Sequence, residues 1–320
     1  MSIKKSTVDI KSRFQWGKDI PLKTPFVVYC ELSGYCNLRC KFCPYAKHAK
    51  TTKKDLMTFD IFEKLINDLK QFPDKLKLFR ICGNGENLLN KSIIKMLQHL
   101  YDSKITHKTQ LITNGTLLNQ ELIQKLPSLL DMIVISIEGL SNNDYVEFSG
   151  TKIDYNQFCN NIRELYKHKK DCVIHLKIHN LAVSTEDKKK IFFDTFQDYC
   201  DEIYIENIVP LFPEMDYCSS TESFRFDNNT SIKKRIICPQ IFKSVQVQAD
   251  GDVVPCCVDW NRINLLGNIM KESLYDIWNG PILYNLQQIH LHGNRFNIHP
   301  CKNCSMNEYS EIDNIDEKLI

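Results

Sequence analysis

Three cysteines, Cys36, Cys40 and Cys43, fall within eight consecutive residues. A C-x3-C-x2-C run can wrap one face of a [4Fe–4S] cube, holding three of its four irons and leaving the fourth open to a small molecule. Other readings share the spacing. The run could be a zinc knuckle with His48 as fourth ligand, or an electron-transfer cubane whose fourth ligand lies elsewhere, or a coincidence. Zinc sites more often use paired C-x2-C arms, which favours the open cube. A second set lies in the last third of the chain: Cys238, Cys256, Cys257, Cys301 and Cys304. Cys238-x17-Cys256 together with Cys301-x2-Cys304 supplies four thiolates, enough to saturate a second cube, and a structural Zn(Cys)4 site is the alternative. Cys256 is the preferred ligand of the adjacent pair, by its Pro-Cys position. Cys257 is then a spare thiol, either packed as a small apolar residue or free to react. Cys30, Cys82, Cys159, Cys172, Cys200 and Cys218 stand singly, and most of them read as small core residues.

Fourteen cysteines are too many for a chain of 320 residues unless they are disulfides, ligands or nucleophiles. The N-terminus mixes Lys, Asp and Ser with no apolar signal region, and runs such as Met132–Ile135 are too short for a bilayer, so a cytoplasmic chain with reduced thiols is expected. The 41 basic and 39 acidic residues leave a net charge of +2, which gives no case for a nucleic-acid partner.

The elements that must position the cysteines alternate. Candidate strands cover Phe26–Glu31, Leu76–Cys82, Thr109–Thr113, Met132–Ile137, Val173–Ile178 and Glu202–Ile208, each aliphatic enough to be buried on both faces. Candidate helices cover Phe59–Gln71 with Thr58 as N-cap, Ser92–Tyr101, Gln120–Lys125, Tyr155–His168 and Glu186–Tyr199. Such alternation predicts an α/β fold with a parallel sheet, either a partial barrel or an open doubly wound sheet, with ligands at the carboxyl ends of the strands. After Pro210 the pattern breaks. Residues 211–231 read as a connector, Val245–Gln248 and Val253–Val254 as a hairpin turning at Asp250-Gly251, and Ser273–Trp278 and Ile282–Leu291 as helices. The expected divisions are an N-terminal extension (1–24), a core domain (25–210), the connector, a second cluster domain (232–307) and an acidic tail (308–320).

Cys36-Asn37-Leu38-Arg39-Cys40-Lys41-Phe42-Cys43 resembles the cluster loop of the radical S-adenosylmethionine (SAM) superfamily. The resemblance implies a partial (β/α)6 barrel in which the open iron chelates the amino and carboxylate groups of SAM. Reductive cleavage then gives a 5′-deoxyadenosyl radical that abstracts a substrate hydrogen. It implies that the backbone around Phe42 meets the adenine. Gly83-Asn84-Gly85-Glu86 is similar to the family's glycine-rich motif for the methionine amino group, with Glu86 as acceptor, although Asn87 replaces the usual proline. Asn114, after the third strand, and Ser136, on the fourth, match positions that touch the methionine or ribose. The segment from Val253 to Cys304 resembles the SPASM/twitch extension, and four or five cysteines point to the shorter, one-cluster form. The cofactors implied are SAM and two [4Fe–4S] clusters, with a reducing partner such as flavodoxin or ferredoxin.

Two outcomes follow from such chemistry. An auxiliary cluster can take an electron from the substrate radical, turning an alcohol carbon into a ketone, as the resemblance to twitch-type aminocyclitol dehydrogenases implies. Alternatively the radical is quenched or captured, as in ribosomal-peptide maturases and epimerases, with Cys257 as hydrogen donor. Only about 24 residues precede the first strand, fewer than a peptide-recognition domain needs, which favours a small sugar- or cyclitol-like substrate. His175, His179, Asp216, Tyr217 and Arg225 are further candidates to line the cavity, and Tyr217 and Cys218 lie in the connector. A non-catalytic iron–sulfur carrier or a zinc-stapled interaction protein are readings of another class.

Overall fold

In the computed structural model, residues 20–48, 53–208, 235–306 and 315–320 are described. The expected connector, with Asp216, Tyr217, Cys218 and Arg225, lies outside them, as do most of the N-terminal extension and of the acidic tail and the side chain of His48. Six strands follow one another in chain order: β1 (Val27–Cys30), β2 (Leu78–Ile81), β3 (Thr109–Thr113), β4 (Met132–Ile137), β5 (Val173–His179) and β6 (Glu202–Glu206). Each pairs in parallel with the next. Helices connect them: α1 (Pro44–His48) and α2 (Phe59–Leu69) after β1, α3 (Ile93–Ser103), α4 (Gln120–Leu129), α5 (Asn142–Ser149) and α6 (Tyr155–His168), and α7 (Glu186–Phe196). This is the mostly parallel, partial-barrel arrangement expected, with flanking helices.

The two faces of the sheet differ. Across one face the register aligns Ile81, Leu111, Ile133 and Ile174, and above them Ile135, Leu176 and Ile203. These residues are at most 3% exposed and join one core cluster with Phe62, Leu65 and Ile66 of α2, Met96 and Leu97 of α3, Leu126 of α4, Ile162 of α6 and Phe192 of α7. Burying each such side chain contributes about 1.5–3 kcal/mol before chain entropy is counted. The opposite face, the lumen, carries Tyr29, Arg80, Gln110, Ser136, His175, Lys177, Tyr204 and Glu206, brought together by the same register. Strands aliphatic on both faces were expected, but alternation at period two sends the polar residues inward. A lumen lined this way suits a polar ligand better than a packed core.

Local signals set the helix starts. Thr58 accepts from the Ile61 N–H at 3.3 Å, and Asn119 and Asp154 cap α4 and α6 in the same way, each at 3.0 Å. α5 had no counterpart among the expected helices, since only Tyr145 and Ser149 of its residues are buried. Ser141 caps its start and Gly150, at φ 63°, ends it in the left-handed region.

The C-terminal extension joins the same sheet. α8 (Gln240–Lys243) leads into β7 (Ser244–Val247), which pairs in parallel with β1. β8 (Asp252–Val254) and the two-residue β9 (Gly267–Asn268) follow antiparallel, giving the order β6-β5-β4-β3-β2-β1-β7-β8-β9. Gly251, at φ 87°, makes the β7–β8 turn. α9 (Leu274–Trp278) and α10 (Pro281–Leu291) then pack back on the body. The Leu274 N–H donates to the Asp68 carboxylate of α2 at 2.9 Å, and Trp278 Nε1 donates to the Leu22 carbonyl at 2.9 Å. Among the described residues no helix is long and apolar enough to cross a membrane.

Candidate active site

The loop from Ser33 to Cys43 leaves the carboxyl end of β1 and is tied down from three sides. The Arg39 and Lys41 N–H groups donate to the Ser149 and Phe148 carbonyls at the end of α5, at 2.8 and 2.9 Å. The Arg39 guanidinium closes over the loop onto the Cys36 and Leu38 carbonyls at 2.6 and 2.7 Å. Asn37 bonds Asn114 and Thr116 beyond β3 at 3.0 and 2.8 Å, and the Tyr45 hydroxyl of α1 accepts from the Cys36 N–H at 3.1 Å. The Phe42 ring packs on His179 at the end of β5, 4.6 Å between centroids. A loop held by so many backbone bonds presents its thiols in one arrangement.

Cys36, Cys40 and Cys43 are brought together. Burial pushes the Cys36 thiol up to about 11 and Cys43 to about 12, and Cys40 rises further. As thiolates each would repel the others, and the buried Glu86 and Glu138 carboxylates add to that repulsion on Cys36. Among the described residues no three His, Cys, Asp or Glu side chains form the ready-made cage of a single metal ion, and every described cysteine is free. The donor set nonetheless fits an iron–sulfur cluster, because desolvated thiols this close ionise together only around a cationic centre.

Glu86 ties the site together. Its N–H donates to the Tyr35 carbonyl at 2.7 Å. Its Oε1 accepts from Leu88 N at 3.0 Å and Thr113 Oγ1 at 2.7 Å, and its Oε2 accepts from Asn114 N at 2.7 Å. A carboxylate offers about four acceptor positions, which leaves one on Oε2 for an ammonium. The glycines before it are required by the chain itself. A Cβ on Gly83 would stand 2.5 Å from the Glu31 side chain, and one on Gly85 2.3 Å from the Ser33 and Tyr35 carbonyl oxygens. Asn87, in place of proline, accepts from the Leu32 N–H at 2.8 Å and so pins the end of β1. Asn114 spends its amide on Asn37 and Thr116. The Ser136 hydroxyl faces the lumen beside Lys177 and makes no hydrogen bond among the described residues.

Glu138, Lys177 and Glu206 went unnoticed in the sequence, whereas His175 and His179 were candidates to line the cavity, and both lie on the lumen face of β5. Glu138 follows β4 and is 6% exposed; burial pushes it up to about 7, it bonds the Cys40 thiol, and its Oε2 has no hydrogen-bond partner. His179 accepts from the Ala182 N–H at Nδ1 and donates from Nε2 to the Glu138 carbonyl, both at 3.2 Å, and burial lowers it to about 4, so its ring is neutral. Lys177 pairs with Glu206 at 2.7 Å, and that carboxylate raises its pKa against the lowering effect of burial. His175 pairs with Glu202 at 2.7 Å. A Glu directly after an aliphatic strand, as in Ile137-Glu138-Gly139, was the available signal for Glu138.

The C-terminal cysteines also meet. Cys256 feels Cys257, Cys304, Cys238 and Cys301, while Cys238 raises both Cys301 and Cys304, each pushed up to about 12 mainly by burial. Cys257 also faces the Arg80 guanidinium and the Tyr29 hydroxyl, and packs with Cys256 and Cys304 against Val258. Cys82, at the end of β2, lies next to Cys257 and Arg80. It is half-buried on the lumen side and is not the core residue that was expected.

Comparison with known proteins agrees with this layout. Residues 30–183 match the family model of the Radical SAM superfamily, and residues 238–305 match the SPASM iron-sulfur cluster-binding domain. AlbA, the antilisterial bacteriocin subtilosin biosynthesis protein of Bacillus subtilis (strain 168), is 24% identical over 304 residues, which cover 84% of this chain and 62% of AlbA. The crystal structure of BtrN in complex with AdoMet and 2-DOIA is similar, at a TM-score of 0.58 and 16% identity, over 90% of this chain and 97% of BtrN. Streptococcus suis SuiB bound to precursor peptide SuiA aligns at 0.63 and 15% identity, over 91% of this chain and 72% of SuiB. At such identities the solved structures speak for the fold. The chain belongs to the radical SAM superfamily and carries a C-terminal SPASM domain.

Proposed function

We propose that the chain oxidises a C–H bond of a small polyhydroxylated substrate held in the lumen, between the two cysteine sets. Bound at Cys36, Cys40 and Cys43, a [4Fe–4S] cluster with SAM supplies the 5′-deoxyadenosyl radical that removes the hydrogen atom. In this reading Glu86 Oε2 accepts from the methionine ammonium, the Ser136 hydroxyl meets the sugar or carboxylate of SAM, and the backbone at Phe42 borders the adenine. Cys238, Cys256, Cys301 and Cys304 would hold the auxiliary cluster. Lys177 Nζ and Glu206 Oε2, with Tyr204 and Gln110, orient substrate hydroxyls, and the unpartnered Oε2 of Glu138 accepts a hydroxyl proton. The observation that carries the reading is the set of hydrogen-bonding side chains Ser136, His175, Lys177, Tyr204 and Glu206 on the inner face of β4–β6, where a packed barrel would be aliphatic throughout.

A peptide substrate is the second reading. It is favoured by the likeness to AlbA over 84% of this chain. There Cys257, beside Tyr29 and Arg80, is placed as a hydrogen donor from the auxiliary side.

The test is anaerobic reconstitution, reduction with dithionite or with flavodoxin or ferredoxin, and assay for 5′-deoxyadenosine with polyol and peptide substrates. The parent is expected to hold about eight irons, four per cluster. The Cys36→Ala, Cys40→Ala, Cys43→Ala variant should hold about four irons and form no 5′-deoxyadenosine. Zinc in place of iron would end the reading. Peptide-dependent turnover with incorporation of solvent hydrogen would replace it with the second.

A further inference from the structure

Beside the C-terminal cysteines lies Arg295, 2% exposed. Its guanidinium donates to the Cys301 carbonyl at 3.0 Å, the Cys304 carbonyl at 3.5 Å and the Arg235 carbonyl at 3.3 Å, while its Nε has no partner. None of these acceptors carries a charge, and among the described residues no carboxylate pairs with it. Asp259, the acid felt by Cys301, spends its oxygens on the backbone N–H groups of Ile263 and Asn264 at 2.9 and 2.8 Å. His290, which accepts from the Cys238 N–H at 3.4 Å, is held neutral by burial and by Arg295. A buried cation without an anion is costly, so one is expected nearby. The groups near it that can become anions are the Cys238, Cys301 and Cys304 thiols, which burial holds protonated in the absence of a metal centre and whose ionised form Arg295 favours.

We propose that Arg295 is the fixed counter-charge of the auxiliary cluster and holds its reduction potential up, so that the cluster can accept an electron. The proposal rests on the reading of Cys238, Cys256, Cys301 and Cys304 as ligands of an iron–sulfur cluster. Four thiolates around an iron–sulfur core carry net negative charge, and one electron adds one more unit. A buried positive charge therefore stabilises the reduced form more than the oxidised one, and net charge is among the determinants of such potentials. Arg295 thus acts through the cluster as a positioning and tuning residue.

The test uses the full chain carrying Cys36→Ala, Cys40→Ala and Cys43→Ala, which leaves the C-terminal site alone to be read. Iron is counted, and the potential is measured by EPR-monitored titration with dithionite for Arg295, Arg295→Lys and Arg295→Gln. The expected result is a potential shifted negative in Arg295→Gln and close to that of Arg295 in Arg295→Lys. Loss of iron from the Gln variant, with the Lys variant loaded at the unshifted potential, supports the same role for the charge. Equal potentials in all three overturn the proposal, as does a Lys variant displaced as far as the Gln variant. Loss of iron from both variants also overturns it, because the guanidinium fork on the carbonyls would then be what matters. If no iron is held with Arg295 intact, the ligand reading fails, and the proposal falls with it.

Discussion

At the scale of single residues, the glycine-rich segment after β2 serves the protein as much as any ligand. Gly83 makes room for Glu31, and Gly85 lies against the carbonyls of Ser33 and Tyr35. A methyl at Gly85 meets only backbone, which cannot turn aside, while one at Gly83 meets Glu31, whose Cγ and carboxylate can turn although its Cβ cannot. Gly85→Ala should therefore cost more than Gly83→Ala, with the latter near the usual ~1–3 kcal/mol of overpacking. Urea unfolding midpoints of the two variants check the order. The motif was legible in the sequence because its residues are contiguous. Its contacts were not, since Glu31 and Tyr35 reach it from another strand end.

At the scale of elements, the attachment of the extension to the barrel decides what holds the site. Glu31, at the end of β1, accepts from the Asn84 N–H at 2.6 Å. With its amide nitrogen turned inward, Gln248 donates to both Glu31 oxygens at 2.9 and 3.2 Å. Asp250 and Asp252 of the hairpin share Arg262 at 2.7 and 2.8 Å, and Lys53 also pairs with Asp250. Burial raises the Glu31 carboxyl from 4.5 to about 7. The folded chain thus binds that proton more tightly than the unfolded one. The resulting stability is full below about 4.5 and is lost as pH rises through about 7. Glu31→Gln should gain on the parent by up to about 3 kcal/mol between pH 4.5 and 8, read from anaerobic urea unfolding at both values. Asp68, 2% exposed, joins α2 to α9 through the Leu274 N–H and pairs with Lys64 at 2.6 Å. Asp68→Ala should cost about 1–3 kcal/mol and speed amide exchange at the start of α9, measured by hydrogen exchange.

At the scale of the whole molecule, one sheet runs through barrel and extension over one main core, while Cys256, Cys257 and Cys304 pack around Val258 in a small cluster of their own. The N-terminal loop is nevertheless anchored by α5 and by the ends of β1–β3, without help from the C-terminal cysteines. Cys301→Ser with Cys304→Ser should therefore lower iron from about eight to about four per chain, while 5′-deoxyadenosine is still formed. Iron analysis beside the product assay checks this. What the sequence by itself determined is the chemistry of local spacing and the alternation of elements. Cys36–Cys43 can be read without the fold because its three cysteines lie within eight consecutive residues, and β3 and β4 were bounded residue for residue by their aliphatic runs. Only the tertiary structure decided which strand face turns inward, that β7 lies along β1, and that Cys82 and Arg295 stand beside the C-terminal cysteines. Those choices rest on pairing and burial between segments far apart in the chain. No residue's type or near neighbours carries that information.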